Sequence, residues 1–208
     1  MIKKILGLLK HKKINEIHEY WRKPNDINND ESGYLDSEET LQRSEFLLGI
    51  VNKYFTKEAK ILELGCNVGR NLNHLYKNGY HKLAGIEINE SAVKLMHKHY
   101  QEMADNSDIK LGEIEKYIRE MKDQEYDLVF SMAVLEHIHS DSDWIFDVLP
   151  KKTKYILTIE DEKSLSWRHF PRRYDKVFKK LNMVHVEKCE HIRGFNDGFY
   201  LRLFQCNQ

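Results

Sequence analysis

From Ala59 onward, short apolar runs alternate with segments whose apolar residues recur at helical spacing. Lys60–Leu64, Lys82–Ile88, Tyr126–Ser131 and Tyr155–Ile159 are almost continuously apolar. That is the pattern of strands buried on both faces of a parallel sheet. Ile109–Leu111 is shorter and reads as an edge strand. Helical periods fill the intervals: Gly69–Lys77, stopped by Asn78-Gly79, then Ser91–Glu102, Glu113–Met121, Asp141–Val148 and Arg172–Leu181. In the second of these, Ala92, Val93, Leu95, Met96 and Tyr100 supply the inner face. The last two strand-like runs, Met183–Cys189 and Phe199–Gln205, are separated only by the Gly194–Gly198 turn, which predicts an antiparallel hairpin at one edge. Strands alternating with helices predict an open α/β sandwich, with ligands bound beyond the carboxyl ends of the strands where the strand order switches.

The segment before this pattern differs. Trp21–Asp36 is dense in Asn, Asp, Pro and Gly and reads as a long loop, a length often associated with lids. A helix follows over Ser37–Tyr54, with Leu41, Phe46, Leu47, Leu48 and Val51 as its apolar contacts. The expected division is a helical, lid-like extension over residues 1–58 and one α/β domain over residues 59–208. At the very start, MIKKILGLLKHKK places Ile2, Ile5, Leu6 and Leu9 on one helical side. That segment suits packing on the domain or on a partner, or weak attachment to an anionic membrane surface.

Bulk properties narrow the partners. Among 208 residues, 33 Lys and Arg balance 33 Asp and Glu, so no sequence-wide basic field points to nucleic acid. The cysteines, Cys66, Cys189 and Cys206, form no CxxC pair, and their odd, sparse spacing suits a reduced, cytoplasmic protein. No apolar run approaches the roughly 20 residues of a membrane span.

Chemistry concentrates at the strand ends. ELGCNVGRN, Glu63–Asn71, follows the first strand and opens the first helix after it. Gly65 and Gly69 provide backbone freedom, and Asn67 occupies the middle position, where left-handed geometry costs Asn little. The loop lacks the Lys-Ser/Thr of a phosphate loop and the GxGxxG spacing of a dinucleotide site, so a phosphate-bearing ligand is disfavoured. At the tip of the second strand, in GIEINESAV, Glu87 is placed to bind the hydroxyls of a ribose. Leu111-Gly112-Glu113-Ile114 follows the third strand, and YDLVFSMAVLEHI, Tyr126–Ile138, carries the fourth into Ser131-Met132 and Glu136-His137.

In this order and spacing, ELGCNVG, GIEINESAV, GEIE and YDLVFSMAVLEHI resemble the successive motifs of class I S-adenosylmethionine-dependent methyltransferases, of the methyltransferase domain 11/23 type. The resemblance implies a Rossmann-like three-layer α/β/α sandwich, with a mostly parallel seven-stranded sheet and a C-terminal antiparallel hairpin strand. It implies S-adenosylmethionine as cofactor and S-adenosylhomocysteine as product. By position, Glu63, Gly65, Cys66, Asn67 and Gly69 surround the methionine part and Glu87 holds the ribose. Ile88, Glu113 and Ile114 flank the adenine, and Ser131 and Met132 form the floor near the sulfonium. Many members carry glycine where this chain has Asn67. The WRKPND, Tyr34 and RSEFLL pattern near the N-terminus also resembles methyltransferases of surface-polysaccharide gene clusters.

Methyl transfer from a sulfonium is an in-line displacement, for which alignment alone supplies on the order of 7–11 kcal/mol. A hydroxyl acceptor also needs a base, whereas a carboxylate or uncharged amine does not. His137, His169 and Glu160 are the candidate bases. Arg168, Arg172, Arg173 and Lys176 form a basic cluster, whose arginines suit an anionic group on the acceptor. Tyr20, Trp21 and Tyr34 are candidates for stacking on a flat or sugar-like acceptor. The His137-x-His139 spacing is weak as a metal signal, and no metal is expected. The expected function is methyl transfer to an oxygen or nitrogen of a small-molecule or saccharide acceptor by a monomer or homodimer. A protein or RNA acceptor, or a non-catalytic cofactor-binding scaffold, is the alternative.

Overall fold

The structure is a computed structural model that describes residues 12–24, 29–181, 183–192 and 194–206. The amphipathic segment expected at residues 1–13 lies almost wholly outside these residues. The first described helix is α1, Ile14–Arg22, followed by a 3-10 turn at Glu31–Tyr34 and by α2, Glu38–Tyr54. Ser37 caps α2: its hydroxyl accepts from Thr40 N–H while Thr40 answers the Ser37 N–H, which satisfies two otherwise orphaned donors.

The alternating units then follow: β1 Ile61–Leu64, α3 Arg70–Lys77, β2 Leu83–Glu87, α4 Glu90–His99, α5 Gln101–Asp105, β3 Asp108–Leu111, α6 Ile114–Glu120 and β4 Tyr126–Met132. After β4 come 3-10 turns at Leu135–His137 and Ser140–Ser142, then α7 Ile145–Lys152, β5 Thr153–Asp161, α8 Tyr174–Lys179, β6 Val184–Cys189 and β7 Phe199–Gln205. The strands form one seven-stranded sheet in the order β3-β2-β1-β4-β5-β7-β6. β1 to β5 pair in parallel, and β7 runs antiparallel to both β5 and β6. The expected hairpin is therefore present, with β7 inserted inward and β6 at the edge.

Alternation within β1 builds both faces. Ile61 joins Leu47 and Val51 of α2, Leu72 and Leu75 of α3 and Met96 of α4 in one core. Leu62 and Leu64 point the other way, to Ile118 of α6, Phe146 and Leu149 of α7 and Phe178 of α8. The three-layer sandwich follows from this period of two, because successive residues of the central strands bury against one helical layer and then the other, whereas the edge strands β3 and β6 stay largely exposed.

Three boundaries differ from expectation. The helix expected over Ser91–Glu102 breaks at Tyr100, whose hydroxyl accepts from the Asp36 N–H across the fold. The helix expected from Asp141 starts at Ile145, after the Ser140–Ser142 turn. β5 runs on through Glu160 and Asp161, which pair with Tyr200 and Phe199 of β7. The strand order reverses between β1 and β4, and the crevice at their carboxyl ends is where the fold admits a ligand.

Candidate functional site

A cavity of about 700 Å³ opens at that crevice. Its floor is the loop after β1, in which Gly65, Asn67 and Gly69 all take left-handed backbone angles (φ 65°, 47° and 75°). A side chain at Gly65 would strike Val134, because an added Cβ there lies 2.6 Å from a Val134 methyl. Asn67 adopts its angle with its own amide helping, Oδ1 accepting from Val68 N–H at 2.8 Å. Cys66 lines the cavity as a buried thiol, and Gly69 lies behind it, packed against Met96 and Met103.

Glu63 is buried beside this loop. One carboxylate oxygen accepts from Asn71 Nδ2 at 2.7 Å and the other has no protein partner. Burial pushes its pKa up to about 8, against the opposing pull of Asn71 and Arg70. Arg70 reaches Ser44 Oγ, the Tyr34 carbonyl and Asn71 Oδ1, and together with Arg43 it brings positive charge to this end of the cavity. Arg70 and Asn71 escaped the sequence reading, since polar residues at a helix start ordinarily face solvent, although their place next to Gly69 was an available signal. Arg43 lies within α2, and no sequence signal tied it to the loop after β1.

At the tip of β2, Glu87 takes three backbone N–H donors: Ile88 and Asn89 on one oxygen and Asn67 on the other, all at 2.7–2.8 Å. Burial raises its pKa while these N–H groups hold it down. The carboxylate thus clamps the β1 loop to β2 and turns its edge to the cavity, whose wall continues through Ile88, Gly112, Glu113 and Ile114. α1 closes this end. His18 Nε2 lies 3.1 Å from Glu115 Oε1 and its Nδ1 lies 3.4 Å from Glu113 Oε1, with Arg22 also on Glu113. The bond to Glu115 raises the His18 pKa.

The opposite end holds the acid and histidine residues. Met132, Ala133 and Val134 lead from β4 into Glu136 and His137, and Ala133 is left-handed (φ 56°). His137 Nδ1 meets the Arg168 carbonyl at 3.0 Å, which fixes the proton on Nδ1 and leaves Nε2 a free lone pair. Burial lowers the His137 pKa to about 3. The rings of Trp21 and His169 each lie 4.5 Å from that of His137, and His169 Nδ1 pairs with Ser166 Oγ at 2.6 Å. Glu136, which the sequence reading did not single out, sits beneath both imidazoles.

Several expected site residues stand behind this wall. Ser131 Oγ donates to Glu160 Oε1 at 2.6 Å, and Glu160 also accepts from the N–H groups of Val134 and Glu136. Glu160 is fully buried and supports the β4 loop from below, so it does not present itself to an acceptor. Burial pushes the Glu136 and Glu160 pKa values up, and the neighbouring Glu160 carboxylate adds to the rise at Glu136, whereas hydrogen bonds from Ser131 and the backbone hold Glu160 down. Arg172 is committed to Asp143 and to the carbonyls of Leu135, Ile138 and Phe170, and Arg173 to Asp175. These two arginines brace loops, whereas Arg168 reaches the cavity and the Tyr20 hydroxyl. Tyr34 lines the cavity and bonds Asn29, which in turn donates to Tyr20. Phe195, Asn196 and Phe199, from the segment leading into β7, complete the lining.

Comparison with known proteins yields a family model described as a methyltransferase domain, which matches residues 39–205. No curated protein matches the chain. Among solved structures, a Pyrococcus horikoshii OT3 protein aligns with TM-score 0.67 at 16% identity, covering 83% of this chain and 93% of its own. A SAM dependent methyltransferase from Aquifex aeolicus aligns with TM-score 0.65 at 16% identity over 86% of this chain and 99% of its own. Magnesium protoporphyrin IX methyltransferase from Synechocystis PCC 6803, with bound SAM, gives TM-score 0.65 at 15% identity over 91% and 94%. At such identities these structures attest to the fold.

Proposed function

The chain belongs to the methyltransferase-domain family, and we propose that it transfers the methyl group of S-adenosylmethionine to an oxygen or nitrogen of a compact, small-molecule or saccharide acceptor. The observation that carries this reading is the crevice itself. A left-handed loop after β1 and a clamped acid at the end of β2 face one cavity, whose far end is walled by Trp21, His137 and His169.

In this reading Gly65, Cys66 and Asn67 lie along the methionine part; Arg70 supplies positive charge for its carboxylate, and Glu63, protonated in the ligand-free protein, ionises against its ammonium. Glu87 takes the ribose, and Ile88, Glu113 and Ile114 flank the adenine. Met132 borders the sulfonium, and the acceptor enters between Trp21, Tyr34, Arg168 and the two histidines. Residues 1–58 contribute Ile17, His18, Trp21 and Tyr34 to the same walls, which supports their assignment as a lid. A cavity capped in this way favours a compact acceptor over a protein or RNA strand. His137 Nε2 is the atom placed to take an acceptor proton. Its lowered basicity suits a nucleophile that needs little deprotonation, and a hydroxyl requires further activation.

Calorimetric titration with S-adenosylhomocysteine tests the cofactor assignment. The parent protein binds it. Asn67→Gly, which keeps the N–H that Glu87 accepts, stays within a few-fold, and Gly65→Val loses binding through its collision with Val134. Absence of binding by the parent protein overturns the enzyme reading.

A further inference from the structure

Glu136, His137 and His169 meet at the acceptor end of the cavity, and each turns one polar atom backward into the protein and one forward. His137 Nδ1 is tied to the Arg168 carbonyl at 3.0 Å, and His169 Nδ1 to Ser166 Oγ at 2.6 Å. Glu136 Oε2 accepts from the Asp161 N–H. The forward atoms are His137 Nε2, His169 Nε2 and Glu136 Oε1. Glu136 Oε1 lies 3.6 Å from the first and 3.9 Å from the second, and all three atoms lie within 4.8 Å of one another. Donors on a common metal ion at about 2.0–2.2 Å stand about 3–3.5 Å apart, so small side-chain rotations close the set.

A second observation concerns charge. Glu136 is 3% exposed and Glu160 fully buried, one behind the other, and among the described residues neither has a lysine or arginine as an ion-pair partner. Adjacent buried carboxylates without a cation are costly, and a bound divalent ion compensates them. The backward hydrogen bonds are those that orient ligands in metal sites: an imidazole tied through Nδ1 presents Nε2, and a carboxylate tied through one oxygen presents the other.

We propose that Glu136, His137 and His169 form a binding site for a divalent transition-metal ion at the acceptor end of the cavity. Two imidazoles and one carboxylate suit zinc, iron or manganese better than magnesium, which prefers an all-oxygen shell. The spacing that drew attention in the sequence, His137-x-His139, is not the pair that converges. His139 Nδ1 accepts from Asp141 N–H and its ring packs on Phe170, whereas His169 arrives from the loop after β5.

The role of the ion rests on the methyltransferase reading, and because the ion takes up the His137 Nε2 lone pair, it replaces that atom as the means of activating the acceptor. Three protein ligands leave positions open toward the cavity, where an acceptor hydroxyl can bind the ion and lose its proton to solvent. The resulting oxygen donates a pair to the methyl carbon as the carbon–sulfur bond breaks. That bond's electrons remain on sulfur as a neutral thioether, so no other reactant is required.

The test begins with chelator-treated full-length protein titrated with Zn(II), Mn(II) and Co(II), followed by calorimetry, metal analysis and the visible spectrum of the cobalt form. The expected result is one ion per chain, with affinity falling at least about tenfold in His169→Gln and in Glu136→Gln and holding in His139→Gln. His169 is only half-buried, so its variant keeps the test decisive if the Glu136 variant does not fold. Binding of no ion, or binding indifferent to His169→Gln, overturns the site. Titration of S-adenosylhomocysteine in parallel reports the cofactor half alone, which separates failure of the metal site from failure of the methyltransferase reading.

Discussion

Glu63 holds a buried carboxyl whose second oxygen meets no protein donor. The folded chain keeps its proton up to about pH 8, whereas the unfolded chain releases it near 4.5. Between those values the native state binds more protons than the unfolded state, so stability falls as pH rises. The contribution is fully present below 4.5 and is lost as pH passes about 8. Glu63→Gln keeps an oxygen for Asn71 and removes the titration. In thermal melts without cofactor, the variant is expected to match the parent near pH 4.5 and to exceed it at about pH 9. A difference that does not vary with pH would sink this account. Gly65 and Glu87 were legible in the sequence because a left-handed turn and a set of backbone N–H donors impose residue types at fixed distances from strand ends, and Glu63 because it opens the same motif. Glu160 and Arg172 were misplaced for the converse reason. A charged residue at a strand end or in a basic cluster looks solvent-facing until its tertiary partners, here Ser131 and the Leu135 carbonyl, are known.

α1 was not legible as a helix. In INEIHEYWR only Ile17 becomes buried, and polar contacts tie the segment to Glu113 in the loop after β3 and to Glu115 in the first turn of α6. His18 is central to that docking. Its hydrogen bond to Glu115 raises its pKa, assisted by the charges of Glu115 and Glu113 and opposed by burial and by Arg22. Burial opposes the fall of the Glu115 pKa, yet the bond from His18 pulls it down. For the raised histidine, the stabilisation is fully present below the unfolded value of 6.5 and is lost as pH rises through the higher folded value. The α1 amides are therefore expected to lose hydrogen-exchange protection, beyond the intrinsic change in rate, as pH rises from about 6 to about 8. His18→Gln flattens that dependence, and a parent profile equally flat would remove the charged contact from the account. The break between α4 and α5 escaped prediction for a related reason: no Gly or Pro marks it, and the contact of Tyr100 with Asp36 lies far away in sequence.

At the scale of the whole molecule, the parallel core was legible because buried strands carry a near-continuous apolar pattern. The insertion of β7 between β5 and β6 was not, since hairpin periodicity identifies a pair without saying which member joins the sheet. The division expected at residue 58 remains a proposal, and packing allows it to be tested. α2 places Leu47 and Val51, both fully buried, in the core shared with α3 and α4, whereas the segment before it contributes chiefly cavity wall. Uncovering a buried Leu or Val costs about 1.5–3 kcal/mol. Losing α2 thus removes several kcal/mol from a total stability of about 5–15 kcal/mol. A chain lacking residues 1–36 is expected to melt cooperatively and to bind S-adenosylhomocysteine at least about tenfold more weakly, as the His18 wall beside Glu113 at the adenine end is gone. A chain lacking residues 1–58 is expected to show no cooperative melt in circular dichroism. If the longer deletion instead melts cooperatively, α2 belongs with the lid; if the shorter one binds with undiminished affinity, the N-terminal walls hold no part of the cofactor.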